Sequence, residues 1–222
     1  MPLTILFYLA GGALSFIATL LAFASYIRSK ERASGFLALT LFFISLHAFA
    51  FAMPFLLIPE NETLLGLGYM SGVAFIFLVF ISALEVLRFV TKLSQKAVAL
   101  ATLLTTALAV MTLSFMIADF HTPIITDTGI ILWNINLASR ILIGLSSVTY
   151  GLFWGTVFFE AVPSISGDAA KVKFKLIGAA GVVLGIVGLI VHTSTETTQT
   201  FIGHILFIIA GIMAIIAYMY KG

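Results

Sequence analysis

The ionisable side chains that fall within or beside long apolar runs are histidines 47, 192 and 204, Arg140, Glu85 and Glu160. Such groups are costly in an apolar setting and by default mark a ligand, ion or proton site. His47 lies near the middle of its run, about 18 Å from the inner end at 1.5 Å per residue. An imidazole at that depth needs a hydroxyl, a backbone carbonyl, a ligand or a metal as partner. His192 and His204 fall near one membrane face together with His121 and Glu196, a candidate outer cluster. Neither His-x-x-x-His nor His-Glu-x-x-His occurs, so a zinc hydrolase has no motif behind it and metal ligation stays unassigned. His47 is placed one or two turns deeper than His204, which argues against one haem shared by the two.

A second constellation follows helical spacing: Asn136, Arg140, Ser147, Gly151 and Trp154, with Tyr150 beside them. A lipid-facing helix has no reason to collect these on one side, so the face is expected to look into a bundle. Arg140 then either snorkels to water, pairs with Asp119 or Asp127, or lines a polar cavity open to the outside. Glu85 has Arg88 three residues on, the spacing of a local ion pair. Glu160 lies near the inner edge before Pro163, within reach of the lysines at 171–175. If Glu85 and Glu160 met in one site, they would form a proton or cation path from the cytoplasm.

The strongest local pattern is Gly178, Gly181, Gly185 and Gly188, followed by His192, at steps of three and four. All five share one helical face. Small residues at this spacing let membrane helices approach closely, so helix packing is the simpler reading. A flat cofactor against the face is the sharper one, with His192 in line to ligate a b-type haem.

The elements that must position these residues follow from composition. Of 222 residues, 61% are hydrophobic and only 9% charged, against about 25% charged in a soluble domain. That excludes a water-facing globule, a disordered chain and, with net charge +2, a nucleic-acid partner. A helix crosses ~30 Å of hydrocarbon with about 20 apolar residues. Seven such runs occur, at 3–27, 35–58, 64–90, 97–120, 138–162, 175–193 and 201–218. They are continuous, without the alternation of a membrane barrel. The fold class expected is an all-α integral membrane protein, a seven-transmembrane-helix bundle forming one domain over 1–222. The stretch 120–137 is expected to lie partly in the outer interface.

Charge sets the expected orientation. Of eleven lysines and arginines, all but Arg140 fall on one side of the alternation, which the positive-inside rule makes cytoplasmic. Glu60, Glu62, Asp119, Asp127 and Glu196 fall on the other side. The N-terminus is therefore expected outside and the C-terminus in the cytoplasm, in a multi-pass protein of the plasma membrane. Tyr26 and Tyr218 would mark the inner interface, Tyr8 and Trp133 the outer. Spans one to three and five to seven each carry a basic first cytoplasmic loop, an arrangement the positive-inside rule explains without a duplication.

Cysteine is absent, which excludes disulfides, thiolate metal sites and cysteine nucleophiles. Asn61-Glu62-Thr63 is a sequon placed too close to the membrane to count. Retinal proteins and G-protein-coupled receptors share the expected topology, but span seven contains no lysine, so covalently bound retinal is excluded. No phosphate loop or Ser/His/Asp arrangement is present. The expectation is a non-enzymatic sensor or receptor-like module, or a subunit of a membrane complex. It would bind a small ligand or partner subunit from the outer side, with candidate ligand residues His47, Arg140, Tyr150, Trp154, His192 and His204. With no effector after span seven, a second membrane subunit or another copy is the expected partner besides the bilayer. The alternatives are a small-molecule or proton-coupled transporter using His47, Glu85, Glu160 and Trp154, and a b-type haem electron-transfer subunit.

Overall fold

Each apolar run forms one helix. The computed structural model describes residues 1–58, 61–91 and 93–220; Glu60, Lys92 and Lys221, used above to set orientation, lie outside them. The helices are α1 (Leu3–Ser29), α2 (Arg32–Leu57), α3 (Glu62–Thr91), α4 (Gln95–Ala118), α5 (Leu137–Ala161), α6 (Asp168–Thr193) and α7 (Thr197–Met219). The protein is 85% helical, and all seven helices are long and apolar enough to cross a membrane. Three of the helices, α3, α4 and α5, start where a polar side chain replaces a missing backbone partner. Ser94 accepts from Ala97 N–H, Asn136 from Ser139 N–H and Asn61 from Leu64 N–H.

The sixth helix starts seven residues earlier than expected, at Asp168. Lys171, Lys173 and Lys175 end an apolar run, but lysine is a good helix former, so they do not end a helix.

Consecutive helices pack side by side: α1 on α2, α2 on α3, α5 on α6 and α6 on α7. Contacts of α1 with α7 and of α3 with α5 close these six into a ring. α4 sits outside, against α3 and α5, and only 17% of its apolar window is buried, compared with 50% for α3 and α5. Where helices approach most closely, small residues replace large ones, as expected where the surroundings are as apolar as the side chains. Gly12 lies against Ala48 and accepts a hydrogen bond from the Ser45 hydroxyl at 3.0 Å. Gly68 receives Ala50 and Pro54 of α2. Buried hydroxyls of Thr19, Thr40 and Thr105 donate to carbonyls one turn back.

Between α4 and α5 the chain forms a short antiparallel hairpin, β1 (Ile124–Ile125) and β2 (Ile131–Leu132), with Ile125 opposite Ile131. Its turn uses Gly129 at φ +74°, a left-handed conformation that glycine adopts without strain. The Gly129 carbonyl accepts from Thr4 N–H at 3.2 Å, which ties the hairpin to the start of α1. Only part of the hairpin faces outward: Ile124 and Ile125 are exposed, while Ile130, Ile131 and Trp133 are buried.

Candidate functional site

The ring of six helices does not close to a solid core. It surrounds a cavity of about 150 Å³ whose lining comes from α1, α2, α3, α5, α6 and α7, with nothing from α4. The lining runs from Ile177 to His192 on α6 and from His204 to Tyr218 on α7, about 21 Å at 1.5 Å per residue. The cavity is thus long and narrow, and parallel to the helices. Its walls are mainly aliphatic and aromatic, with the hydroxyl residues Ser15, Thr40 and Ser147 among them, and no lysine, arginine, aspartate or glutamate of the described residues lines it.

Polar side chains gather at the hairpin end. His47 of α2 is hydrogen-bonded through Nδ1 to the Gly72 carbonyl of α3 at 3.0 Å. His192 of α6 is bonded through Nδ1 to the Tyr69 hydroxyl at 2.7 Å. His204 of α7 is bonded through Nε2 to the Thr4 hydroxyl at 3.2 Å. That hydroxyl also accepts from Ile131 N–H at 2.9 Å. All three imidazoles line the cavity. Each keeps its second ring nitrogen without a hydrogen bond among the described residues.

Aromatic rings pack these groups in place. Tyr8 lies edge-on to Phe51 at 4.7 Å and to His204 at 5.1 Å, and its ring centre is 6.2 Å from that of His47. Tyr69 stacks on Trp133 at 4.4 Å, and Trp133 Nε1–H donates to the Tyr8 hydroxyl. Trp133 and Ile131 therefore cover the hairpin end of the cluster. The deep histidine and the two outer ones form one group, with His47 and His192 ring centres 6.3 Å apart. His47 and His204 have no ring contact with each other among the described residues and are linked through Tyr8, so the depth inferred for His47 relative to His204 is not contradicted. Tyr8 and Trp133 are buried inside the protein.

Other candidates separate. Tyr150 and Trp154 line the cavity. Tyr150 stacks on Phe80 at 4.4 Å and shares a hydrogen bond with Thr105, while Trp154 Nε1–H donates to the Ile177 carbonyl at 3.0 Å. Arg140 does not line the cavity, and its Nε–H donates to the Ile135 carbonyl at 2.8 Å. Asp119 pairs with His121 at 2.9 Å, and Arg140 forms no ion pair among the described residues. The carbonyl that Arg140 satisfies lies at the end of the hairpin loop, so this bond ties the loop to the first turn of α5. Asn136 caps the same helix and donates to the Phe115 carbonyl.

Glu85 is paired with Arg88 at 3.0 Å, and Glu160 is exposed. Neither lines the cavity, so the path from His47 through Glu85 and Glu160 is not continuous. Among the described residues no group of three or more His, Asp or Glu is arranged to hold a metal ion.

The glycine face of α6 is filled by α5. A Cβ built on Gly151 would stand 2.7 Å from Gly185 Cα and 2.8 Å from the Gly181 carbonyl oxygen. One built on Gly178 would stand 2.9 Å from Phe158 Cβ. With the backbones this close, a porphyrin against the stripe would require the two helices to part. Gly181, Gly185 and Gly188 border the cavity where α5 leaves them uncovered.

Tyr8, Phe51, Tyr69 and Gly72 belong to the site and escape the sequence reading. One signal was available: Gly68-Tyr-Met-Ser-Gly72 repeats the small-xxx-small spacing of α6. It marks the place where the α3 backbone comes close enough for His47 to bond it. Comparison with family models, with curated proteins and with solved structures finds no match to this chain.

Proposed function

We propose that this protein is a multi-pass membrane protein of receptor or sensor type that holds a small molecule in its central cavity. One observation carries the reading. The cavity is long and uncharged, and it ends in three histidines that each hold back a ring nitrogen from the protein's own hydrogen bonds. Buried polar atoms are normally satisfied by protein or ordered water, and pockets with apolar walls and a few convergent polar groups are the usual form of a ligand site. In this reading the N-terminus and the hairpin face outward and the C-terminus faces the cytoplasm of a cell bounded by the plasma membrane. Support for that orientation comes from the lysines and arginines at the end opposite the hairpin, namely Arg28, Lys30, Arg32, Arg88, Lys96, Lys171, Lys173 and Lys175.

Native mass spectrometry of the full chain released from lipid nanodiscs tests the reading. A small molecule is expected to remain bound to the natural chain. It should be lost in Ala180→Phe, because Ala180 lines the cavity and the added ring would enter it. Retention of the same adduct in Ala180→Phe would overturn the cavity as the ligand site, and absence of any adduct together with solute flux into proteoliposomes would replace the reading with a transporter.

A further inference from the structure

The hydrogen bonds already made by the three histidines decide what the open nitrogens can offer. A carbonyl oxygen only accepts, so the bond to Gly72 places the proton of neutral His47 on Nδ1 and leaves Nε2 as a lone-pair acceptor. At His192 the partner is a phenol. If Nδ1 carried the proton, the Tyr69 hydroxyl hydrogen would have no acceptor among the described residues; the satisfied arrangement has Tyr69 donating to Nδ1. His192 Nε2–H is then an open donor. The same reasoning applies at His204. The Thr4 hydroxyl accepts from Ile131 N–H, and its own hydrogen has an acceptor among the described residues only if it donates to Nε2, the arrangement that places the His204 proton on Nδ1.

The cluster therefore presents one acceptor, at His47, and two donors, at His192 and His204. A hydroxyl group is the smallest function that answers both: it donates to His47 and accepts from His192. A hydroxyl oxygen about 2.8 Å from one nitrogen of each ring would hold the ring centres about 6–7 Å apart, and the two centres are 6.3 Å apart. A carboxylate or phosphate only accepts. It would meet the His47 lone pair, and the lining has no cation to neutralise it. An ammonium group would find no anion. An aldehyde or ketone would leave His47 unsatisfied, and a plain hydrocarbon would leave both.

We infer that the cavity takes an uncharged, elongated apolar molecule ending in a hydroxyl. The hydroxyl lies between His47 and His192, and the chain runs along α6 and α7 toward Tyr218. This rests on the cavity being the ligand site proposed above. The walls fit the chain: Phe80, Trp154, Leu184 and Phe207 line it along the way. Tyr218 lies at the far end, its ring covered by the Lys173 ammonium at 4.2 Å and its buried hydroxyl without a hydrogen-bond partner among the described residues, a second polar point in the lining.

The test uses the full chain in phosphatidylcholine nanodiscs and dodecanol carrying a diazirine in its chain. After irradiation, labelled peptides are mapped by mass spectrometry, and dodecanol, dodecane and dodecanoate at pH 8 compete with the probe. Label is expected on the α6 and α7 residues that line the cavity. Dodecanol should displace the probe about tenfold better than either of the others, the difference made by leaving one buried polar group unpaired. His47→Phe and His192→Phe should each lower capture by about the same factor, while Glu85→Gln, outside the cavity, should not. If no lining peptide is labelled, the cavity is not the ligand site and the proposed function falls with it. If the lining is labelled but dodecane or dodecanoate competes as well as dodecanol, the cavity stands and the hydroxyl assignment is wrong, with water held at the histidines. The competitor series uses the natural chain, so it decides the matter even if both histidine variants fail to fold.

Discussion

The α5–α6 contact makes a quantitative demand on Gly151. Its Cα faces Gly185 so closely that an alanine Cβ would lie 2.7 Å from Gly185 Cα and 2.8 Å from the Gly181 oxygen. Carbon atoms pack best at about 3.5–4.0 Å, so Gly151→Ala must push the helices apart by about 1 Å. The obstructing atoms are backbone, which cannot turn aside as a side chain can. Overpacking of this kind costs about 1–3 kcal/mol, set against at most about 1 kcal/mol gained from the better helix propensity of alanine. Gly35→Ala is the matched control, because the nearest atoms to its Cβ belong to the Tyr26 ring at 3.2 Å and that ring can shift. Thermal melting of the purified protein, followed by tryptophan fluorescence, reads the difference. Trp154 lies at this contact and is one of only two tryptophans. At about 2–4 °C per kcal/mol for a chain of this size, Gly151→Ala should melt about 2–12 °C below Gly35→Ala, since the propensity gain is common to both. Once the helices have parted, adding Gly185→Ala should cost less than it does alone. Equal melting temperatures for Gly151→Ala and Gly35→Ala would refute the claim that backbone contact holds α5 to α6.

Three further outcomes follow from the same geometry. Tyr69→Phe removes the partner of His192 Nδ1 in a buried setting and should lower stability by about 1–3 kcal/mol; an unchanged melting temperature would contradict the hydrogen bond at 2.7 Å. Thr4→Val leaves Ile131 N–H without its acceptor, so amide exchange at residues 130–133 should quicken while exchange in α3 stays as it was, as checked by mass spectrometry. Because the chain has no cysteine, single cysteines report sidedness directly. A membrane-impermeant maleimide should label Thr128→Cys in intact cells and Ser29→Cys only after permeabilisation, and the reverse pattern would overturn the orientation.

Much of the fold is legible in order because its cause is local. A run of about 20 apolar residues has one way to satisfy its backbone in hydrocarbon, which is a helix, and seven such runs give seven helices. The glycine spacing in α6 and the capping by Asn136 are also local, set by residues three or four apart on one surface. The site is legible only in part. His47, His192 and His204 could be named as ionisable groups in apolar surroundings. Their meeting, however, joins α2, α6 and α7, and their partners Gly72, Tyr69 and Thr4 come from α3 and α1. Arg140 and Glu85 carried the same sequence signal as the histidines, yet they bond to Ile135 and Arg88 beside them in the chain. A charge inside or beside an apolar run must find a partner, but the run itself does not say whether that partner is a near neighbour or another helix.

By itself, the sequence determined that the chain forms seven apolar helices, which residues are ionisable within them, and which faces are small enough to pack closely. Tertiary structure decided that six helices close a ring with α4 outside, that the ring leaves a cavity, and that three histidines from different helices line one end of it. The physical reason is range. Hydropathy and side-chain volume act over a turn or two of helix, whereas the partner of a buried imidazole is chosen by which helices become neighbours, and that choice depends on the packing of all of them at once.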